Sequence, residues 1–398
     1  MNSKVEAAVP VAETVSAATF IKRNIREYGM LMSLAVIMVF FQYMTDGTLM
    51  QPLNLTNLLL QNSYIVIMAL AMLLVIVAGH IDLSVGSVAG FIGGLAAVLM
   101  VQFEWHYVPA TVVCLVAGAV IGGIQGYFIA FHRIPAFIVT LGGMLIFRGA
   151  GLALLQGQSV GPFPREFQLL SSGFIPDPFG GESLRITSLL LGGLVAVAFF
   201  YMNLRERANK LQYGAAAEPL GFLIGKNVVF SAAILYFAYL LSTYKGLPNV
   251  MVIMFVLMMF FDFITNRTTI GRRIYALGGN EKAARLSGIK TDRLSFYAFM
   301  NMGVLAALAG LIFAARLNTA TPKAGVGFEL DVIAACFIGG ASATGGVGKV
   351  MGAVIGAFVM GVMNNGMSIL GIGIDYQQVI KGIVLVAAVF VDIYNKNK

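Results

Sequence analysis

Charge is scarce in this chain. Asp, Glu, Lys and Arg together make up 11% of 398 residues, against roughly a quarter in a soluble domain. With 59% hydrophobic residues and a mean hydropathy of +0.86, this excludes an ordinary soluble protein and implies an integral, polytopic membrane protein. Cysteine is nearly absent: Cys114 and Cys336 both lie in apolar runs, so neither a disulfide framework nor a thiolate metal cluster can be built, and both are read as small packing residues. Histidine is also rare. His80 and Asp82, at i and i+2, diverge on a helix and have no third ligand, so no metal site is expected; His106 and His132 fall at span ends. No apolar core follows a basic cluster before residue 28, and Glu6 and Glu13 precede it; a cleaved signal peptide is not expected. Paired carboxylates and a nucleophile with its base are missing from any shared loop, which argues against an enzyme.

Apolar runs are plentiful. They fall near 28–44, 57–78, 85–103, 108–131, 134–157, 186–203, 226–243, 248–265, 294–315, 330–342, 350–370 and 377–394, and most are long enough to cross about 30 Å of hydrocarbon. The expected fold is therefore an all-α polytopic membrane protein of about twelve transmembrane elements, with a tail at 1–27 and a single membrane domain over 28–394. Segment 330–342 is too short to span alone and is read as a half-helix continued by the glycine-rich loop after it, either crossing or re-entering over 330–349. Of 26 Lys and Arg, 19 fall in the tail and in the loops alternating with it. Five (Arg165, Arg185, Lys245, Arg316, Lys323) fall on the opposite side, and Arg148 and Lys381 lie within spans. The positive-inside rule then puts both termini in the cytoplasm and accounts for the net charge of +8 without nucleic acid.

Five polar features stand out. Residues 271–293 are the one sustained hydrophilic stretch of the second half, within a segment spanning 266–293. Asn280 can cap a helix start and Gly288 can end one, so 281–287 are expected to form a helix of about two turns. Ala78–Ser87 interrupts an apolar stretch; Asp82 there either caps the helix starting near Ser84 or lines a solute pathway, the first being favoured. Gly339–Lys349 invites a phosphate-loop reading but fails it, because the positions that need Gly and Ser/Thr hold Ala343 and Val350. ATP is therefore not bound by this loop, and no cofactor is expected in the chain. Polar residues inside spans are few; Ser84, Ser87, Asn301, Asn364 and Asn365 join Asp82 as candidate pathway residues, with interhelical hydrogen bonding the plainer role. The long segment 158–185, with Pro162, Pro164, Pro176 and Pro178, is either an ordinary capping loop or a contact for an external partner. Glycine series such as Gly118, Gly122 and Gly126 are read as close helix packing.

Several of these runs resemble the permease subunits of bacterial monosaccharide importers of the ATP-binding-cassette class, the branched-chain-permease-like family. The resemblance rests on the 271–293 stretch, on Ile81-Asp82-Leu83-Ser84-Val85-Gly86-Ser87, on Phe147-Arg148-Gly149 and on Phe328-Glu329-Leu330-Asp331, and runs through 57–157 and 248–394. It implies a homodimer in the bacterial inner membrane, a cytoplasmic ATPase subunit that binds ATP and Mg, and a periplasmic sugar-binding protein. It also implies that Gly278, Gly279, Asn280, Glu281, Ala284, Arg285, Ser287 and Gly288 couple to the ATPase. Arg148 is expected to snorkel near the outer end of its span, with Glu329 and Asp331 near the outer face. Segments 186–203 and 226–243 look like two added spans, a layout closer to xylose-type or multiple-sugar members than to ribose-type ones; this favours a pentose such as xylose and leaves ribose, arabinose and galactose open. An ion-coupled secondary transporter is the alternative, for which few intramembrane ionisable groups are present.

Overall fold

A computed structural model describes residues 25–180, 184–214 and 217–396; the tail expected at 1–27 lies largely outside them. Among the described residues every regular element is helical, and the two β-bridges, Val160–Ala320 and Phe174–Pro248, are isolated. In chain order the helices are α1 (Ile25–Met44), α2 (Pro52–Val77), α3 (Val85–Ala97, prolonged by a π-turn Val98–Gln102), α4 (Tyr107–Ala130), α5 (Ala136–Leu154) and α6 (Arg165–Ser172). There follow α7 (Ile186–Gln212), α8 (Leu220–Ser242), α9 (Asn249–Arg267), α10 (Thr269–Gly279), α11 (Glu281–Leu286), α12 (Thr291–Leu317), α13 (Phe328–Ile338), α14 (Val350–Ile369) and α15 (Ile374–Lys396).

Ten of these are long and apolar enough to cross a membrane, where about twelve elements including broken or half helices were expected. The difference lies in α1, whose apolar stretch Gly29–Met44 is shorter, and in α13, of 11 residues. The proline-rich segment 158–185 is not wholly loop, since Pro164 opens α6 and Gly173 closes it. Helix α7 runs well past residue 203, through Arg205, Glu206, Arg207 and Lys210, because a helix continues out of an apolar layer as long as its charged side chains can be solvated or paired; Lys210 meets Glu206 at 2.7 Å.

The chain forms two compact units. The smaller comprises residues 175–247 with the start of α1, and the larger comprises 30–174 and 248 onward. In the smaller unit α7 and α8 pair as a hairpin, Gly192 lying against Ala238 and Asn203 donating to Asn227 across it. The two spans that looked additional in sequence are this hairpin. In the larger unit α2 is buried nearly all round, packed by α12, α13 and α14. Helices α4 and α12 approach to backbone distance: a Cβ on Gly118 or Gly303 would meet the other residue's carbonyl oxygen at 2.5 Å or 2.1 Å. The expected small-residue packing is thus realised, with glycine the only residue that fits.

The half-helix has irregular backbone on both sides, 318–327 before it and the glycine-rich loop 339–349 after it. Asn318, in the left-handed region at φ 56°, ends α12, and the chain then turns back along it, so that Ala324 and Gly325 lie against Gly90 and Gly86 of α3. Gly310 touches Ala89 of the same helix and stands seven residues inside α12, roughly 10 Å from its end. The irregular stretch 318–327 therefore precedes α13 and descends into the bundle, where protein covers its backbone. The glycine run 339–349 follows the helix and is itself largely packed, with Ala341 and Ser342 fully buried. Ahead of the half-helix two glycines, Gly325 and Gly327 (φ 82° and 81°), make the turn.

Candidate functional site

The hydrophilic stretch folds as two helices joined by one residue. Thr268 caps α10 by accepting from the Gly271 amide, and Gly271, Ile274 and Leu277 form its buried face. This helix was not expected, although its cap and its i, i+3, i+6 spacing are visible in the sequence. Asn280 then caps α11, accepting from the Ala283 amide at 3.0 Å, and Gly288 (φ 81°) ends it. Around this pair the coupling candidates divide sharply. Ala284 is 4% exposed and packs inward, so it offers no outward contact. Arg285 is spent within the chain, on Asp292 at 2.6 Å, Glu281 at 3.3 Å and the Thr291 hydroxyl at 3.0 Å. Ser287 turns back to the Ala283 carbonyl. What projects is Leu286, 90% exposed, which sequence reasoning passed over.

Gly278 and Gly279 belong to a junction of three segments. The Gly346 amide donates to the Val77 carbonyl at 2.9 Å, and a Cβ on Gly278 would lie 1.6 Å from that same oxygen. Gly279 lies against Gly346, and Gly345 against Gly79. The end of α2, the end of α10 and the glycine-rich loop thus meet backbone to backbone. Tyr275 ties the joint by donating to the Gly348 carbonyl at 2.7 Å, and its burial, with Asp262 nearby, raises the phenol pKa. The loop is held from its other side by Asp392 of α15, which accepts from Ser342 at 3.0 Å. Beside the joint a cavity of ≈ 370 Å³ is lined by His80, Arg133, Glu281, Lys282, Arg285 and Ser295, among others. Burial lowers the His80 pKa from the ordinary value near 6.5, with Glu281 opposing it.

Of the pathway candidates, Asp82 accepts from the Ser84 amide at 2.8 Å and from its hydroxyl at 2.7 Å, and Gln125 of α4 donates to that hydroxyl at 3.0 Å. These contacts fasten the break between α2 and α3 to α4. Asn365 pairs reciprocally with Asn54 at 2.9 and 3.1 Å, joining α14 to α2. Ser87 is buried with its hydroxyl unpartnered, and Asn301 has an unpartnered buried amide nitrogen. Asn364 stands apart from these. Its amide donates to Asp331 at 3.2 Å while its own oxygen has no partner.

The first turn of α13 buries both Asp331 and Glu329 inside the bundle. Two residues apart, they point to different sides of the helix. Glu329 faces Arg148 of α5 at 3.9 Å, and the Arg148 side chain keeps 34% exposure. Asp331 meets Lys381 of α15 at 2.9 Å. The buried charges are paired because an isolated charge there would be far costlier. Phe328 stacks on Tyr64 of α2, with ring centroids 3.9 Å apart, and fixes the start of the half-helix.

The sequence that builds this arrangement has clear relatives. Residues 54–389 match the family described as branched-chain amino acid transport system / permease component, and the chain belongs to that family. It is 39% identical to a xylose transport system permease protein of Haemophilus influenzae over 94% of this chain and 98% of the relative. With the xylose transport system permease protein of Escherichia coli K12 it shares 37% identity, over 100% and 98% respectively. The ribose import permease protein of Escherichia coli K12 is 34% identical over 85% of each chain. No solved structure matches. The chain is a multi-pass inner-membrane permease.

Proposed function

We propose that this chain is the membrane subunit of an ATP-driven, binding-protein-dependent importer of a monosaccharide, a pentose such as xylose being favoured. The observation that carries this reading is α11, a short helix capped at both ends that presents Leu286 to the outside on the basic, hydrophilic side of the bundle. A bare apolar side chain at 90% exposure is costly in water and gains by entering a cleft on a partner. That partner is a cytoplasmic ATPase subunit, which supplies ATP and Mg chemistry; the permease does none of its own. Both termini then lie in the cytoplasm with α10 and α11, two copies of the chain enclose the pathway, and a periplasmic binding protein delivers sugar to the far side. The names of the relatives support the sugar class. The xylose relatives align over 94% and 100% of this chain and the ribose relative over 85%, which supports the xylose-type layout.

In this reading, closure of the ATPase pair moves α11, and the glycine junction passes the movement to the loop 339–349 and so to α13. Leu286→Asp is expected to abolish co-purification with the ATPase and sugar-stimulated ATP hydrolysis, while leaving the melting temperature of the detergent-solubilised permease unchanged. Intact association would overturn the docking role. Gradient-driven uptake by the chain alone in vesicles would favour a secondary transporter instead.

A further inference from the structure

Helices α14 and α15 leave the turn at Leu370–Gly373 as the two arms of a V, and each carries polar residues at i and i+4. Asn364 and Ser368 share a face of α14, and Gln377 and Lys381 share a face of α15. Gln377 bridges the arms near the turn, donating to Ser368 at 3.4 Å and to the Ile372 carbonyl at 2.9 Å. About one helical turn deeper, Asn364 and Lys381 converge on Asp331 of α13. The result is a polar strip roughly 10 Å long, from the end of the bundle to a buried carboxylate.

This strip is not sealed. Lys381 keeps 20% of its side chain exposed, Asn364 and Gln377 are half-buried, and Ser368 is exposed. Beyond Lys381 the exposed surface of α15 up to Phe390 is apolar, with Ile383, Val386 and Phe390 bare, and Val379 is exposed as well. Lipid suits those residues, but a partly open Lys–Asp pair with two amides beside it does not suit hydrocarbon. Helix packing alone does not satisfy the strip either, since the buried side-chain oxygen of Asn364 has no partner among the described residues. Amide, ammonium and carboxylate groups in a row are the chemistry that binds a polyhydroxylated solute, each offering or accepting hydrogen bonds at spacings of a few ångströms.

We propose that the Gln377–Ser368–Asn364–Lys381–Asp331 strip faces a water-filled path and is the sugar-binding track of the permease, running from the far end of the bundle to the half-helix. This deepens the transport reading and rests on it for the identity of the solute. The water-facing character of the strip is tested separately.

The chain provides its own background for cysteine scanning, because Cys114 and Cys336 are both buried. Asn364→Cys, Gln377→Cys and, as lipid-facing controls, Val379→Cys and Val386→Cys are made in the full complex in proteoliposomes. Asn364→Cys leaves the Asp331–Lys381 pair intact, so folding is expected to survive. A membrane-impermeant, charged thiol reagent added from outside is expected to modify the first two and not the controls, while an uncharged maleimide reaches the controls. Modification at residue 364 is expected to block ATP-dependent uptake of D-xylose, and Asn364→Leu to lower uptake about tenfold, the scale of one lost hydrogen bond to a solute. If the charged reagent misses residues 364 and 377 while the maleimide labels them, the strip lies in lipid and the proposal fails. Labelling as expected without any ATP-dependent uptake by the unsubstituted complex would instead sink the importer reading and leave the aqueous face standing.

Discussion

His80 shows how much one side chain can report from a site without contacting solute. It sits at the start of the α2–α3 break, 3.4 Å from Ser295, in the wall of the cavity beside α11. Because burial holds its pKa below the ordinary value, the unfolded chain takes up the proton first as pH falls. Its contribution is neutral at alkaline pH, destabilising as pH drops through about 6.5, and level once pH passes below the folded value. Thermal melts between pH 8 and 5.5 are expected to show a steeper acid-side loss for the native chain than for His80→Gln; parallel curves would remove His80 as the cause. Gly278 makes the complementary case. Alanine there would drive a methyl into the Val77 carbonyl, so the end of α10 or α2 must move. Gly278→Ala is expected to destabilise the chain by about 1–3 kcal/mol, as overpacking does, read as a lower melting temperature, whereas Gly279→Ala meets open space and should not.

Elements differ in how much of them the sequence announces. Helix α11 is legible because its signals are local: Asn280 at one end and Gly288 at the other set its limits without help from the rest of the chain. Helix α10 carries the same kind of signal in Thr268 and is hidden only by the density of charge around it. The half-helix α13 is legible in length but not in placement, because what buries Glu329 and Asp331 is a pair of cations on α5 and α15, far away along the chain. No local pattern joins Arg148 to Glu329. The same separation makes the ion pairs testable as long-range bonds. Lys381→Met strands Asp331 and is expected to cost about 3–5 kcal/mol, whereas Asp331→Asn with Lys381→Met together should cost clearly less; equal losses in detergent melts would argue that the pair contributes nothing specific. The candidate pathway residues were legible only as polar types in apolar runs. Folding sorts them, sending Asn365 to Asn54 and Asp82 to Ser84 while leaving Asn364 with an unused acceptor.

For the whole molecule, the two units differ in what holds them. The larger has a continuous core around α2, in which α4 and α12 lock through glycine; the smaller is a hairpin with few buried side chains. The larger unit also closes on itself where the smaller is inserted: Phe174 bridges to Pro248, the Asn249 amide donates to the Gly173 carbonyl at 2.8 Å, and the Asn249 side chain donates to Leu169. The loop ends are therefore already in register without the intervening residues. A chain in which 176–246 are replaced by a two-residue turn is expected to fold and to bind the ATPase, checked by size-exclusion chromatography and co-purification. Aggregation of that chain would show that the hairpin belongs to the core after all.

That closure makes residues 174 and 248 a port. A sequence spliced there meets a junction whose two sides are already pinned together, so its own length and stability are decoupled from the transport machinery. A lineage could gain, lose or exchange an accessory hairpin at this point without redesigning the rest, and a laboratory could place a reporter domain there and read the permease in a living membrane.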